Sequence, residues 1–407
     1  MKNLYKLGLA GILCSALIGF TMPAFAQEAA APIAAPAAEE GAISNFFKSV
    51  EVSGFIDTFY SYNFSEPKDN LGSGGDFVRP DFLEVRAFDR EHNSFTLNNI
   101  EISVYKPSTE KDPIGFGFTT LFGEQARRLT FIPAEMTTNT RVDDDDFTVG
   151  QGFVTYKAPI GKGLDFKFGK FATWIGAELW ESVDNPNYSR SFMYQSAIPF
   201  THTGLAVSYP LLDNLTATGY LVNGWDTFVD NNDAKTLGYQ FIWAIAENTS
   251  FIVNGSHGAE QDEDLVKGAD SNMRHFWDLI LALKPLEKTA FNLNFDFATE
   301  EEGAMSAGNF VAGHGTGQYW GFAGIIIQDI TDSVGVAFRG EYFDDSDGTR
   351  LGVDDLQLWG VTFTTNIKIR ENLLVRPEIR YDDAGGKEVF AGQDNQLTTS
   401  IAVAYLF

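Results

Sequence analysis

The sequence predicts an all-β chain: an antiparallel transmembrane β-barrel of about 16 strands, with short periplasmic turns and long extracellular loops. Three observations predict it. Apolar and polar residues alternate with period two through most of the chain beyond residue 50. The connections between the alternating segments are long and short by turns, which a soluble sandwich has no reason to show. The chain also ends on an alternating segment, in which Ile401, Val403, Tyr405 and Phe407 interleave with Ser400, Ala402, Ala404 and Leu406.

Lys2, Lys6, the apolar run Leu7 to Phe20 and Ala24-Phe25-Ala26 have the layout of a secretory signal, expected to be cleaved before Gln27. The run is short for a membrane helix. Cys14, the single cysteine, sits in that run without the small residue usual before a lipidated cysteine, so it reads as filler. Once the signal is cleaved, neither a disulfide nor a thiolate is expected. Residues 27–50 read as a flexible periplasmic linker (QEAAAPIAAPAAEEG at 27–41) followed by a short lead-in of a helical turn or two, and 51–407 as the barrel.

The net charge of −26 argues against nucleic acid as a partner, because neutralising phosphates needs a basic face. It suits loops that meet divalent cations and lipopolysaccharide, although plain solubility is the commoner reading. No apolar run of about 18 residues follows the signal, so the remainder could cross a membrane only as a closed barrel.

Sixteen strands can be laid down, at 52–63, 95–105, 115–123, 147–157, 163–172, 200–209, 214–223, 235–245, 249–257, 273–283, 289–298, 318–328, 332–343, 356–368, 372–382 and 396–407. Fourteen and eighteen are the nearest alternatives. Phe291, Leu293, Phe295 and Phe297 against Asn292, Asn294 and Asp296 show the alternation best, and predict a lipid-facing and a lumen-facing side. The short connections carry turn chemistry, as in PIGKG at 159–163 and PLLDN at 210–214. Tyr209 and Tyr405 fall at the short-turn rim, and Tyr60, Tyr62, Tyr342 and Tyr381 at the long-loop rim, as girdles would. Pro377 breaks the pattern, since it lacks an N–H for the ladder; a bulge or a later start of its strand would accommodate it.

The stretches VSGFIDTFYSYNF (52–64), FTLNNIEISVYKP (95–107), GAELWESVDNPNYSRSFMYQSAIPFTHTGLAVSYPL (176–211) and VNGWDTFVDNND (222–233) resemble the OmpL-like β-barrel porin family, of porin-2 type. The resemblance covers most of the chain beyond the signal and is densest in its first half. It implies an outer-membrane barrel of a Gram-negative bacterium that passes small hydrophilic solutes by passive diffusion. It implies no cofactor and no catalytic set. The terminal Val403, Tyr405 and Phe407 resemble the signal read by the barrel assembly machinery. A homotrimer is left open.

Alternation assigns Asp57, Glu101, Asp165, Lys167, Arg274, Asp278, Asp296, Arg339, Glu341, Arg376, Glu378, Arg380 and Asp382 to the lumen, because Arg or Lys facing lipid at the midplane costs about 2–4 kcal/mol. The connection 173–199 is too long for a hairpin and carries Trp174, Trp180, Tyr188, Phe192 and Tyr194, too many aromatics for a solvated tip. It is expected to fold inward and narrow the pore, with Glu178, Glu181 and Asp184 facing Arg376 and Arg380. The plainer expectation is that Glu178 and Glu181 pair with Arg190.

A hydrolase would need a nucleophile, a base and an orienter together. His92, His202, His257, His275 and His314 have no metal or triad spacing and read as loop, lumen or girdle residues. DDSDG at 344–348 follows Phe343 where a calcium loop needs its first ligand. The run Asp143 to Asp146 reads as solvated acid, with a minor option of binding divalent ions. A structural or adhesive barrel is the main rival to a channel, and a hydrolase the weaker one.

Overall fold

The computed structural model describes residues 49–65, 85–89, 91–130, 146–262, 268–302, 315–390 and 392–407. The signal, the linker, nearly all of the lead-in, His314 and Asp143 to Asp145 lie outside them.

The strands are β1 (Glu51–Asn63), β2 (Ser94–Lys106), β3 (Ile114–Phe122), β4 (Phe147–Ala158), β5 (Leu164–Ala172), β6 (Thr201–Leu212), β7 (Leu215–Val222), β8 (Thr236–Ala246), β9 (Thr249–Ala259), β10 (Met273–Leu286), β11 (Thr289–Glu300), β12 (Gly317–Asp329), β13 (Val334–Asp347), β14 (Asp354–Ile369), β15 (Leu373–Asp383) and β16 (Asn395–Leu406). Each pairs antiparallel with its sequence neighbours, and β1 pairs with β16 to close a 16-strand barrel. Closure leaves no sheet edge, so every ladder group can be satisfied without water. A short helix, α1 (Glu124–Thr130), lies between β3 and β4. Its Glu124 and Arg128 pair at i,i+4 across 2.6 Å.

The barrel is turned inside out relative to a soluble protein. Phe168, Phe241, Phe295, Phe338 and Phe363 are exposed on the outside, while Asp278, Asp296, Arg339 and Asp382 on the inside are wholly buried. This is the distribution lipid demands. The chain end completes it: Phe407 exchanges backbone hydrogen bonds with Gly54 of β1 at 2.9 and 3.0 Å, and its ring lies over that glycine. Val403, Tyr405 and Phe407 face outward.

Two features differ from the sequence expectation. Pro377 lies inside β15 and faces outward, without a bulge and without a delayed start. Instead the ladder to β14 lapses between Thr364↔Glu378 and Ile367↔Val375 and resumes in the same register, while pairing with β16 runs through Pro377↔Ile401. Arg376 fills the lapse with its side chain, Nε donating to Asn366 Oδ1 at 2.7 Å. The second difference is the seventh long connection, which contracts to 348–353 and is shorter than the turn at 107–113, because β13 and β14 run on past the predicted ends. Asp345 organises that tight turn by accepting the N–H groups of Arg350 and Leu351 at 3.0 and 2.7 Å.

Candidate functional site

The connection 173–200 between β5 and β6 does not stay at the rim. It turns into the barrel at Trp174, whose ring stacks on Tyr220 at 3.8 Å and 7° and lies 4.2 Å from His202. A side chain at Gly238 would collide with that indole, so only glycine admits it there. Gly176 then adopts a left-handed φ of 87° and donates its N–H to Asp278 on β10 at 2.7 Å, and Ala177 N donates to Asn294 on β11 at 3.0 Å.

From there the chain crosses to the opposite wall, where its backbone is held by β13–β15. Glu378 accepts the N–H groups of Tyr188 and Ser189 at 2.7 and 3.1 Å, and Glu341 accepts that of Phe192 at 2.5 Å. Arg339 donates to Ser189 O at 2.6 Å and pairs with Glu178 at 2.9 Å. Arg380 donates to Arg190 O at 2.6 Å and to Asp382 at 2.6 Å. Arg376 donates to the carbonyls of Ser182 and Asn185. Such charge-assisted bonds are the strong class, and sheltered from water they hold a segment that has no ladder of its own.

Within the loop Arg190 gathers the carbonyls of Leu179, Trp180 and Tyr188 and the side chain of Gln125 from α1. The sequence offered Arg190 only as an ion-pair partner of Glu178 and Glu181, whereas its hydrogen bonds go to carbonyl oxygens. Glu178 instead answers Arg339 and the N–H of Ser191. Arg376 and Arg380 likewise meet loop carbonyls rather than the loop carboxylates.

Glu181 and Asp184 stand apart from this network. Both are half-buried, and neither makes an ion pair among the described residues. Burial, then repulsion from Asp184, raises the Glu181 carboxyl to about 8; burial raises Asp184 to about 6 against the opposing pull of Arg376. Glu101 on β2 is close enough to feel both charges, and its own bonds to Ser103 and Asn99 are long, at 3.4 and 3.5 Å.

The remaining lumen charges are paired or bonded at the wall. Arg274 pairs with Glu300 at 2.7 Å, Lys157 with Asp165 at 3.0 Å, and Lys167 sits 4.7 Å over the Phe153 ring. Asp57 accepts from Ser182 of the loop at 2.6 Å and from Asn98 at 2.5 Å. Asp278 and Asp296 face each other in register, with Asn294 donating to both at 2.6 and 3.0 Å. Above this polar band, toward the long loops, the lumen is packed with apolar residues such as Phe171, Phe276, Tyr319 and Phe343. Sixteen strands alone suggested an open aqueous lumen; at that end the loop, α1 and residues 85–89 occupy it. Arg86 and Asp89 pair there, and Phe88 lies 5.3 Å from Phe200. The sequence reading assigned neither 85–89 nor α1 to the interior. Only the Glu124 and Arg128 spacing could have signalled α1.

A closed barrel with an apolar outer band, a charged inner wall and an inward loop defines an outer-membrane channel of porin type. The chain belongs to the family described as "Putative beta-barrel porin-2, OmpL-like", which it matches over residues 49–407, and it is an outer-membrane porin. Solved structures with the same fold include an anion-selective porin from Comamonas acidovorans (TM-score 0.56, 9% identity, covering 88% of this chain and 99% of that one). OmpT of Vibrio cholerae in a trimer form is another (0.54, 12%, 88% and 99%), as is OmpF of Salmonella typhi in complex with daunomycin (0.52, 9%, 88% and 97%). No curated protein matches the chain by sequence.

Proposed function

We propose that small hydrophilic solutes diffuse past loop 173–200 on the side of β2, and that Glu101, Glu181 and Asp184 make this passage selective for cations. One observation carries the reading. On the β13–β15 side Glu178, Arg339, Glu341, Arg380 and Asp382 neutralise one another, and Glu378 and Arg376 are taken up by the backbone of the loop, whereas Glu101, Glu181 and Asp184 have no ion-pair partner among the described residues. Uncompensated carboxylates beside a low-dielectric neck attract cations and repel anions. Glu178, Arg376 and Arg380 then hold the loop in place rather than filter.

Reversal potentials across planar bilayers test this. In the triple variant Glu101→Gln, Glu181→Gln and Asp184→Asn, compared with the parent at a pH of about 9, above the values to which Glu181 and Asp184 are raised, the preference for cations collapses. Unchanged selectivity in a variant that still conducts would overturn it. The same proposal places the chain in the outer membrane after loss of residues 1–26, assembled through Val403, Tyr405 and Phe407, with its outer face against lipid and lipopolysaccharide. A trimer, the form one of the structural neighbours takes, is the proposed assembly.

A further inference from the structure

His257 and His275 read as loop, lumen or girdle residues in the sequence, with no spacing that links them, but the fold brings them together. They are directly opposed across β9 and β10, with Nδ1 facing Nδ1 at 3.1 Å. Their inward-facing neighbours are Ser256, Arg274 and Phe276, so both rings lie on the outer face. They sit close to the long-loop ends of their strands. Trp277 packs against His257 and His275 at 5.4 and 6.1 Å, and Tyr239 against His257 at 5.8 Å.

We propose that this pair is a binding site for a divalent transition-metal ion, which bridges the two Nδ1 atoms. Metal–imidazole bonds of about 2.0–2.1 Å to two nitrogens this far apart subtend roughly 95–100° at the metal. That bite lies between the octahedral and tetrahedral values, so Ni²⁺, Cu²⁺ and Zn²⁺ all fit. The aromatic fence confines both rings, so binding asks only that each imidazole turn its Nδ1 from the N–N line toward the ion, which lowers the ordering cost. Without metal, the 3.1 Å contact needs one Nδ1 to carry the shared proton. On binding, that proton moves to the Nε2 of the same ring, and both Nδ1 lone pairs face the ion with no net proton released from a neutral pair. No third His, Cys, Asp or Glu joins them among the described residues. Water completes the coordination shell, and affinity follows the usual rise from Ni²⁺ to Cu²⁺.

Calorimetry with NiCl₂ on the untagged full-length barrel in detergent tests the site. One saturable site per chain is expected, weakened roughly tenfold or more by His257→Asn and by His275→Asn and unchanged by His92→Asn, whose ring serves the N–H of Asn63. Retained heat-modifiable mobility establishes that each variant is folded. With Cu²⁺, electron paramagnetic resonance should show two nitrogen ligands in the parent and one in each pair variant. Absence of saturable Ni²⁺ binding in the parent, or binding unaffected by both pair substitutions, overturns the proposal.

Discussion

The two sides of loop 173–200 use the same residue types to opposite ends. Toward β13–β15, Glu178, Arg339, Glu341, Arg380 and Asp382 form a chain of ion pairs at 2.6–3.4 Å, nearly every member buried beyond water's reach. Toward β2, the buried Glu101 and the half-buried Glu181 and Asp184 lie close enough to feel one another's charge, and none of them makes an ion pair among the described residues. A buried pair with full hydrogen bonding is rigid, and removing one partner is costly because the other stays buried and charged. An unpaired carboxylate holds the loop only where, like Glu378 or Asp278, it accepts loop N–H groups; in the proposal above, Glu101, Glu181 and Asp184 keep their field for passing ions. Charge alone therefore says little about a residue's role in this lumen; compensation decides it.

The contrast is broken most severely by Arg339→Met. It strands Glu178, leaves Glu341 only its longer 3.4 Å pair with Arg380 and releases Ser189 O, and is expected to cost about 3–5 kcal/mol, read as a lower midpoint in urea unfolding from lipid vesicles. Glu101→Gln on the other side leaves that midpoint in place. Equal losses would erase the distinction. On the outer wall, Phe295→Arg places a charge in lipid and costs about 2–4 kcal/mol if the site is near the midplane. Assembly yield should drop sharply, whereas Phe295→Leu assembles normally.

A gentler lever is pH. A carboxyl whose value is raised gains its charge only above that value, so Asp184 ionises through about 6 and Glu181 through about 8. Cation preference should therefore climb in two steps from acid to alkaline solution, and Glu181→Gln should remove the upper step alone. A flat profile would mean that these acids stand off the path. Least affected of all should be Lys162→Ala at the short turn, where the 2.6 Å pair with Asp213 is open to solvent; neither stability nor conductance should move measurably.

The barrel was legible from sequence because lipid enforces it residue by residue. Phe291 to Phe297 could be assigned faces from alternation alone, and most strand ends fell within two residues of the observed ones. The exceptions are instructive. β13 and β14 overran because Asp345 closes their loop through its side chain, a bond without periodicity. Pro377 was recognised as anomalous, yet its solution depends on Arg376 and Asn366, which become neighbours only when β14 and β15 pair. The site was less legible for the same reason. The aromatics of 173–199 marked a loop that would not remain in solvent, and alternation placed Arg376 and Arg380 on the inner wall. That they bind loop carbonyls, and that Arg190 does so too, depends on the backbone path of a segment with no repeat to read.

The lapse in the ladder beside Pro377 bears on how the molecule is made. Asn366, which faces that lapse, donates to Pro186 O of the loop at 2.9 Å, while Arg376 spans from Asn366 to the carbonyls of Ser182 and Asn185. The seam between the fourteenth and fifteenth strands thus lacks two rungs, and the two side chains that bridge it, Arg376 and Asn366, are both anchored on a segment from far earlier in the chain. The seam is therefore expected to mature only once the loop has been drawn in, and a barrel caught before that should show amide exchange concentrated along that single line.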